Sequence, residues 1–165
     1  MTLPEDTLAR LQFLVRVVER QSRRLEATDR RVFGEPFTPE RARRLESDVE
    51  LGERVEAFVS RYGRLQDSLG DKLLPALLRA LGESVGAAID NLDHAERLGW
   101  IASVDRWFEA RKWRNQMVHE YIEEPAVLAD ALQAGHESVS MLVEAGTAMC
   151  SEVARRGWAT NTPPN

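Results

Sequence analysis

Arg114, Asn115, His119 and Tyr121 fall within eight residues of one another, inside the stretch 111–121. A histidine takes or gives a proton near neutral pH, so it can act on a ribose 2′-hydroxyl or on a leaving oxygen. A fixed arginine can hold a phosphate and stabilise the charge that grows on it in the transition state. Arg114, Asn115 and His119 are therefore the residue types that metal-independent RNA cleavage can use. An offset of five puts positions 114 and 119 about 140° apart on an ideal helix. They converge only if the helix ends between Met117 and His119, or if two chains bring their copies together. The acidic Glu123-Glu124-Pro125 stop is compatible with the first arrangement, and a two-fold dimer supplies the second.

The elements that must carry this cluster all read as helices. From about Glu5 to Thr28, Leu8, Leu11, Val15, Val18 and Leu25 recur at helical spacing, with Arg16, Arg20, Arg23 and Arg24 as a basic stripe beside them. The stripe can contact phosphates, or it can be solvated or paired with acidic neighbours. Gly34 and Pro36 mark a connection. Thr38-Pro39-Glu40 then reads as an N-cap, a proline at the first helical position and an early carboxylate. From there Leu45, Val49, Val55, Phe58, Val59, Tyr62, Leu65 and Leu69 predict one very long helix, with Gly52 and Gly63 tolerated at some loss of propensity. Gly70 and Pro75 predict a kink or break before the apolar run that ends at Leu81.

After a connection from Gly82 to Gly86, a short helix is expected from Asp90 to Leu98, closed by Gly99. Ser103 can cap the helix that runs through Val104, Trp107, Phe108 and Arg111 into the cluster. Pro125 opens a last helix reaching about Arg155, and residues 157–165 are expected to form a flexible tail. No alternating strand pattern and no internal repeat occurs. The expectation is one domain over residues 1–156, an all-α antiparallel bundle of four or five helices.

Composition narrows the setting. A chain of 165 residues with 43% hydrophobic residues can bury one core without disulfides or metals. A lone cysteine, Cys150, and a start without a basic leader predict a cytoplasmic protein. No run approaches the roughly 20 apolar residues that span a bilayer. A net charge of −5 gives no general pull toward nucleic acid, so any RNA contact must rest on a local basic surface. Arg106, Arg111 and Lys112, just before the cluster, are candidates for it.

Familiar motifs are mostly missing. There is no phosphate-cradling glycine loop, and His119-Glu120 lacks the second histidine of a zinc protease. Asp90 and His94 lie one turn apart but have no Glu-x-x-His partner, so no metal or cofactor site is expected. His94 and His136 are read as surface or packing residues, and Cys150 as a small core hydrophobe. Trp100, Trp107 and Trp113 are read as packing residues rather than base-stacking platforms.

Arg114-Asn115-Gln116-Met117-Val118-His119 resembles the Arg-x4-His motif of HEPN domains (higher eukaryotes and prokaryotes nucleotide-binding), including the polar residue after the arginine. With Tyr121 it is similar to the Arg-x4-His-x-Tyr of HepT, the toxin of the HepT/minimal-nucleotidyltransferase toxin-antitoxin systems. The general layout resembles that family over roughly residues 5 to 155, with a longer N-terminal part than a minimal HepT.

The resemblance implies a helical bundle that dimerises so that both motifs line one cleft. It implies a metal-independent ribonuclease with Arg114 and His119 as the catalytic pair and Asn115 in support. It also implies that a nucleotidyltransferase antitoxin places AMP on Tyr121, where a bulky anion would block the cleft and repel RNA. A second reading is a non-catalytic helical subunit that pairs with a nucleotidyltransferase and helps present its substrate. The same residues also admit a purely architectural account: Arg114 in a salt bridge, His119 at a helix C-terminus and Tyr121 as an anchor.

Overall fold

The apolar stripe that opens the chain folds as α1 (Glu5–Val32), one turn longer than its expected end. Val32 explains the extra turn, since it lies seven residues beyond Leu25 and is buried on the same face as Leu11, Leu14 and Val18. Glu5 and Asp6 in the first turn and Arg30 and Arg31 in the last complement the helix dipole. The structure is a computed structural model that describes residues 2–119 and 124–160, with the His119 side chain also outside the described set.

Thr38 caps as expected, its Oγ1 accepting from the Arg41 amide at 3.2 Å, but the helix it starts is short. This is α2 (Pro39–Arg43), followed by a 3-10 turn, Arg44–Glu46. The single long helix expected from residue 38 onward is therefore two pieces. Asp48 makes the division: its Oδ1 accepts from the Leu51 amide at 3.0 Å and restarts the backbone as α3 (Val49–Asp67). A π-helical turn, Ser68–Leu73, joins α3 to α4 (Leu74–Ala80), so residues 49–80 form one rod with a widened turn inside it. The Leu74 amide donates to the carbonyl of Leu69, five residues back. Pro75 has no amide to give to residue 71, and the wide turn takes up the clash its ring would cause.

Next come α5 (Ala88–Arg97), α6 (Val104–His119) and α7 (Pro125–Arg155). Gly99 closes α5 at φ +79°, a left-handed conformation that suits glycine. The start of α6 is capped twice: Ser103 Oγ accepts from the Arg106 amide at 3.3 Å, and Glu96 Oε2 accepts from the Val104 amide at 2.7 Å.

Every described element is helical, so the all-α expectation holds, and one buried apolar cluster draws on all the long helices. Trp100 and Trp107 are buried in it and Trp113 packs against it, as their spacing suggests. No helix among the described residues is long and apolar enough to cross a membrane.

Candidate functional site

On α6 the buried residues are Val104, Trp107, Ala110 and Met117, a seam that turns toward α3 and α7. Arg114 stands in that seam, four residues after Ala110 and three before Met117. A charge carried on a core-facing stripe must be paired where it lands. Asp67, the last residue of α3, meets it with two parallel bonds, Nη1 to Oδ1 at 2.5 Å and Nη2 to Oδ2 at 3.0 Å. This two-pronged geometry fixes the plane of the guanidinium.

Space for the guanidinium comes from Gly63, one turn before Asp67. A Cβ on residue 63 would lie 2.8 Å from Arg114 Nε and 3.1 Å from Cζ. Two other α6 side chains also seat on glycines: Trp107 against Gly70, and Met117 against Gly135 of α7. Polar side chains of α3 complete the contact. Gln66 Nε2 donates to the Trp107 carbonyl at 3.4 Å. The Tyr62 hydroxyl lies 2.5 Å from Ser138 Oγ and 3.4 Å from the Ala110 carbonyl. Burial pushes the Tyr62 phenol up to about 12, against the opposing effect of the Ser138 hydrogen bond, so it stays protonated at neutral pH.

Arg114 opens onto a cavity of about 490 Å³ between α3 and α6, with Val59, Ser60, Gly63, Asp67 and Met117 in its wall. Asp67 takes two of the five guanidinium N–H groups, and among the described residues Arg114 has no other hydrogen-bond partner. Arg64 stands at the rim.

The remaining candidates are distributed unevenly. Asn115 is exposed on α6 directly after Arg114. Arg111 and Lys112 are exposed one turn earlier, with Lys112 Nζ 5.6 Å from the centre of the Trp113 ring. Arg106 lines a separate groove between α6 and α7 with Glu109, Glu137 and Glu144, so its charge faces carboxylates there and not the Arg114 cavity. The backbone of α6 continues to His119, which keeps positions 114 and 119 on one helix, about 140° apart by helical geometry. The His119 side chain and Tyr121 lie outside the described residues.

Asp67 and Gly63 were not among the residues expected at the site. A carboxylate one turn after a mid-helix glycine, facing an arginine on another helix's apolar seam, is the only sequence trace of them. The other histidines have structural partners. His94 Nε2 lies 3.3 Å from Glu83 Oε2, and His136 stacks on Phe33 with Nδ1 2.7 Å from Asp29 Oδ1. Among the described residues no group of three or more His, Cys, Asp or Glu is placed to hold a metal ion. No family model, no curated protein and no solved structure matches the chain.

Proposed function

We propose that the chain is a HepT-like toxin: a dimeric, metal-independent endoribonuclease that uses Arg114 and His119, held in check by a nucleotidyltransferase that adenylylates Tyr121. The observation that carries this reading is the fixed guanidinium. Arg114 is held by Asp67 over Gly63 at an open cavity, with no other hydrogen-bond partner among the described residues. A group oriented in advance stabilises developing phosphate charge without reorganising at the moment of reaction.

In the proposed step His119 takes the proton of the ribose 2′-hydroxyl. The 2′-oxygen bonds to phosphorus and the bond from phosphorus to the 5′-oxygen breaks. The leaving oxygen is protonated by water or by His119 of a second copy, giving a 2′,3′-cyclic phosphate and a 5′-hydroxyl end. The angular separation of positions 114 and 119 favours a two-fold dimer, where each cleft draws on both copies. Neutralisation has its own balance: the Tyr121 hydroxyl attacks the α-phosphate of a nucleoside triphosphate and pyrophosphate leaves.

One observation favours the non-catalytic alternative, a helical subunit that pairs with a nucleotidyltransferase. Asp67 already satisfies part of Arg114, as a purely architectural ion pair would. The deciding experiment is cleavage of single-stranded RNA in EDTA by protein whose intact mass shows Tyr121 unmodified, alongside His119→Ala and Arg114→Ala. The expected result is cleavage that survives EDTA and falls on the order of 100-fold or more in each variant. Folded, unmodified protein that leaves RNA intact, with both variants still binding the nucleotidyltransferase, refutes the ribonuclease and supports the binding subunit.

A further inference from the structure

The basic stripe of α1 does not stand alone. It faces α3, and together they enclose a groove of about 460 Å³ into which Arg16, Arg20 and Arg24 project from one side and Arg61 and Arg64 from the other. Among the described residues no carboxylate lines this groove. Among the described residues Arg16, Arg20, Arg24 and Arg64 form no salt bridge. Arg61 is anchored by a hydrogen bond from Nη1 to Thr28 Oγ1. Five guanidinium groups on one concave surface of a chain with net charge −5 concentrate positive potential there.

Three further features narrow the ligand. Phe13 lines the groove with 48% of its surface exposed and the Arg10 guanidinium 5.8 Å from its ring centre, an exposed aromatic of the kind on which bases stack. Arg64 lines both this groove and the Arg114 cavity, so the two are neighbours across that one side chain. Arg16, Arg20 and Arg24 repeat every fourth residue, a rise of about 6 Å per step, comparable to the separation of successive phosphates along an extended strand.

We infer that the groove between α1 and α3 is a binding track for single-stranded RNA. It leads past Arg64 to the Arg114 cavity, with the arginines on the phosphates and Phe13 under a base. The choice of ligand rests on reading Arg114 and His119 as the cleavage site; an acidic protein is the competing occupant of such a surface, and it would leave Phe13 without a role.

The test uses the full chain and a short fluorescent 2′-O-methyl oligouridylate, which lacks the attacking hydroxyl and so reports binding whether or not the protein cuts RNA. Affinity is measured by anisotropy across a salt series. The triple variant Arg16→Ala/Arg20→Ala/Arg24→Ala changes only exposed side chains, and its fold is checked by circular dichroism. Expected is a loss of at least about tenfold in affinity, with the slope of log K against log salt shallower by about 2, from roughly 0.7 per lost phosphate contact. Phe13→Ala should weaken binding at unchanged slope, and Arg23→Ala, exposed on α1 but outside the groove, should bind as wild type.

Unchanged affinity and slope in the triple variant overturns the track. So does displacement of the oligonucleotide by polyglutamate as readily as by unlabelled polyuridylate, an outcome that assigns the groove to an acidic protein. Absence of cleavage with groove-dependent binding refutes the ribonuclease and leaves the track standing; cleavage with groove-independent binding does the reverse.

Discussion

In Gly63→Ala a single methyl group is added where the Arg114 guanidinium rests on α3. The new Cβ would lie 2.8 Å from Nε, against about 3.4 Å for an ordinary contact, so the guanidinium must move by about 0.6 Å. It can do so, because it is the far end of a flexible side chain, but the two parallel bonds to Asp67 are lost or bent as it moves. Helix propensity acts in the opposite direction, since alanine is favoured over glycine in a helix interior by about 1 kcal/mol.

The ion pair it disturbs is partly solvated, with Arg114 26% and Asp67 39% exposed, and such pairs contribute about 1 kcal/mol or less. The two effects nearly cancel, so the melting temperature should stay within roughly 4 °C of wild type. Catalysis has no such compensation, because displacing a positioned group by a fraction of an ångström to 1 Å can cost up to about 100-fold. The expected outcome is a folded variant of near-native stability whose RNA cleavage rate is reduced by about tenfold or more. Thermal unfolding and initial rates in EDTA read the two quantities separately. A variant that melts normally and cleaves at the wild-type rate would refute the claim that the seat on Gly63 positions the arginine.

Further outcomes follow from other contacts. Asp67→Ala leaves Arg114 in its seam without its partner; stability should fall by about 1 kcal/mol, and cleavage should fall more than in Gly63→Ala, with equal rates counting against a positioning role. Glu152, buried beneath Arg155 and Arg156, is held below the usual carboxylate range, chiefly by the hydrogen bond from Arg155, with Arg156 adding to it. As pH falls below about 4.3 the unfolded chain takes up this proton first, so the stability from this contact is present above that pH and is lost through the lower native value. Melting curves between pH 7 and 3 should therefore show a steeper acid decline for wild type than for Glu152→Gln, on the order of 1 kcal/mol, and parallel curves would count against it. Burial, and then Glu19, push the Cys150 thiol up to about 12, so labelling by iodoacetamide at pH 8 should be about 100-fold slower in the native protein than in urea. Equal rates in the two states would show the thiol to be unprotected.

Periodicity and capping made much of this fold legible. Ser103, Gly99 and Pro125 each act within a turn of where they stand in the chain, and the helices they bound lie close to their expected places. Asp48 is an equally local signal, but the apolar period that continues through it at Leu45, Val49 and Val55 masks the break. The contacts that build the site are of another kind. Asp67 and Arg114 are 47 residues apart, and only the packing of α3 on α6 brings them together. Arg114 could be recognised as a candidate from its neighbours in sequence, but not its occupancy of the buried seam between Ala110 and Met117. Likewise the α1 arginines could be read as a stripe, whereas Arg61 and Arg64, which turn the stripe into a groove, belong to a helix whose own period gave no hint of α1. Arg106 illustrates the opposite limit: near the cluster in sequence, it lies in a groove shared with three glutamates.

The π-helical turn at Ser68–Leu73 acts as a phase adjuster within the rod. A turn with one extra residue rotates everything beyond it by about 100° relative to an uninterrupted α-helix. Gly63 and Asp67 lie before the adjustment and Leu74, Leu77 and Leu78 after it, so each half of the rod has its own angular register. Trp107 rests on Gly70 at the point where the two registers meet. Deleting Gly70 would remove the extra residue, drive the Pro75 ring into the preceding turn and set the halves in conflict: with Asp67 still aimed at α6, the leucines of α4 would swing off the core. The rod can thus hold a polar site and an apolar wall on independent bearings, at the expense of one loosened turn.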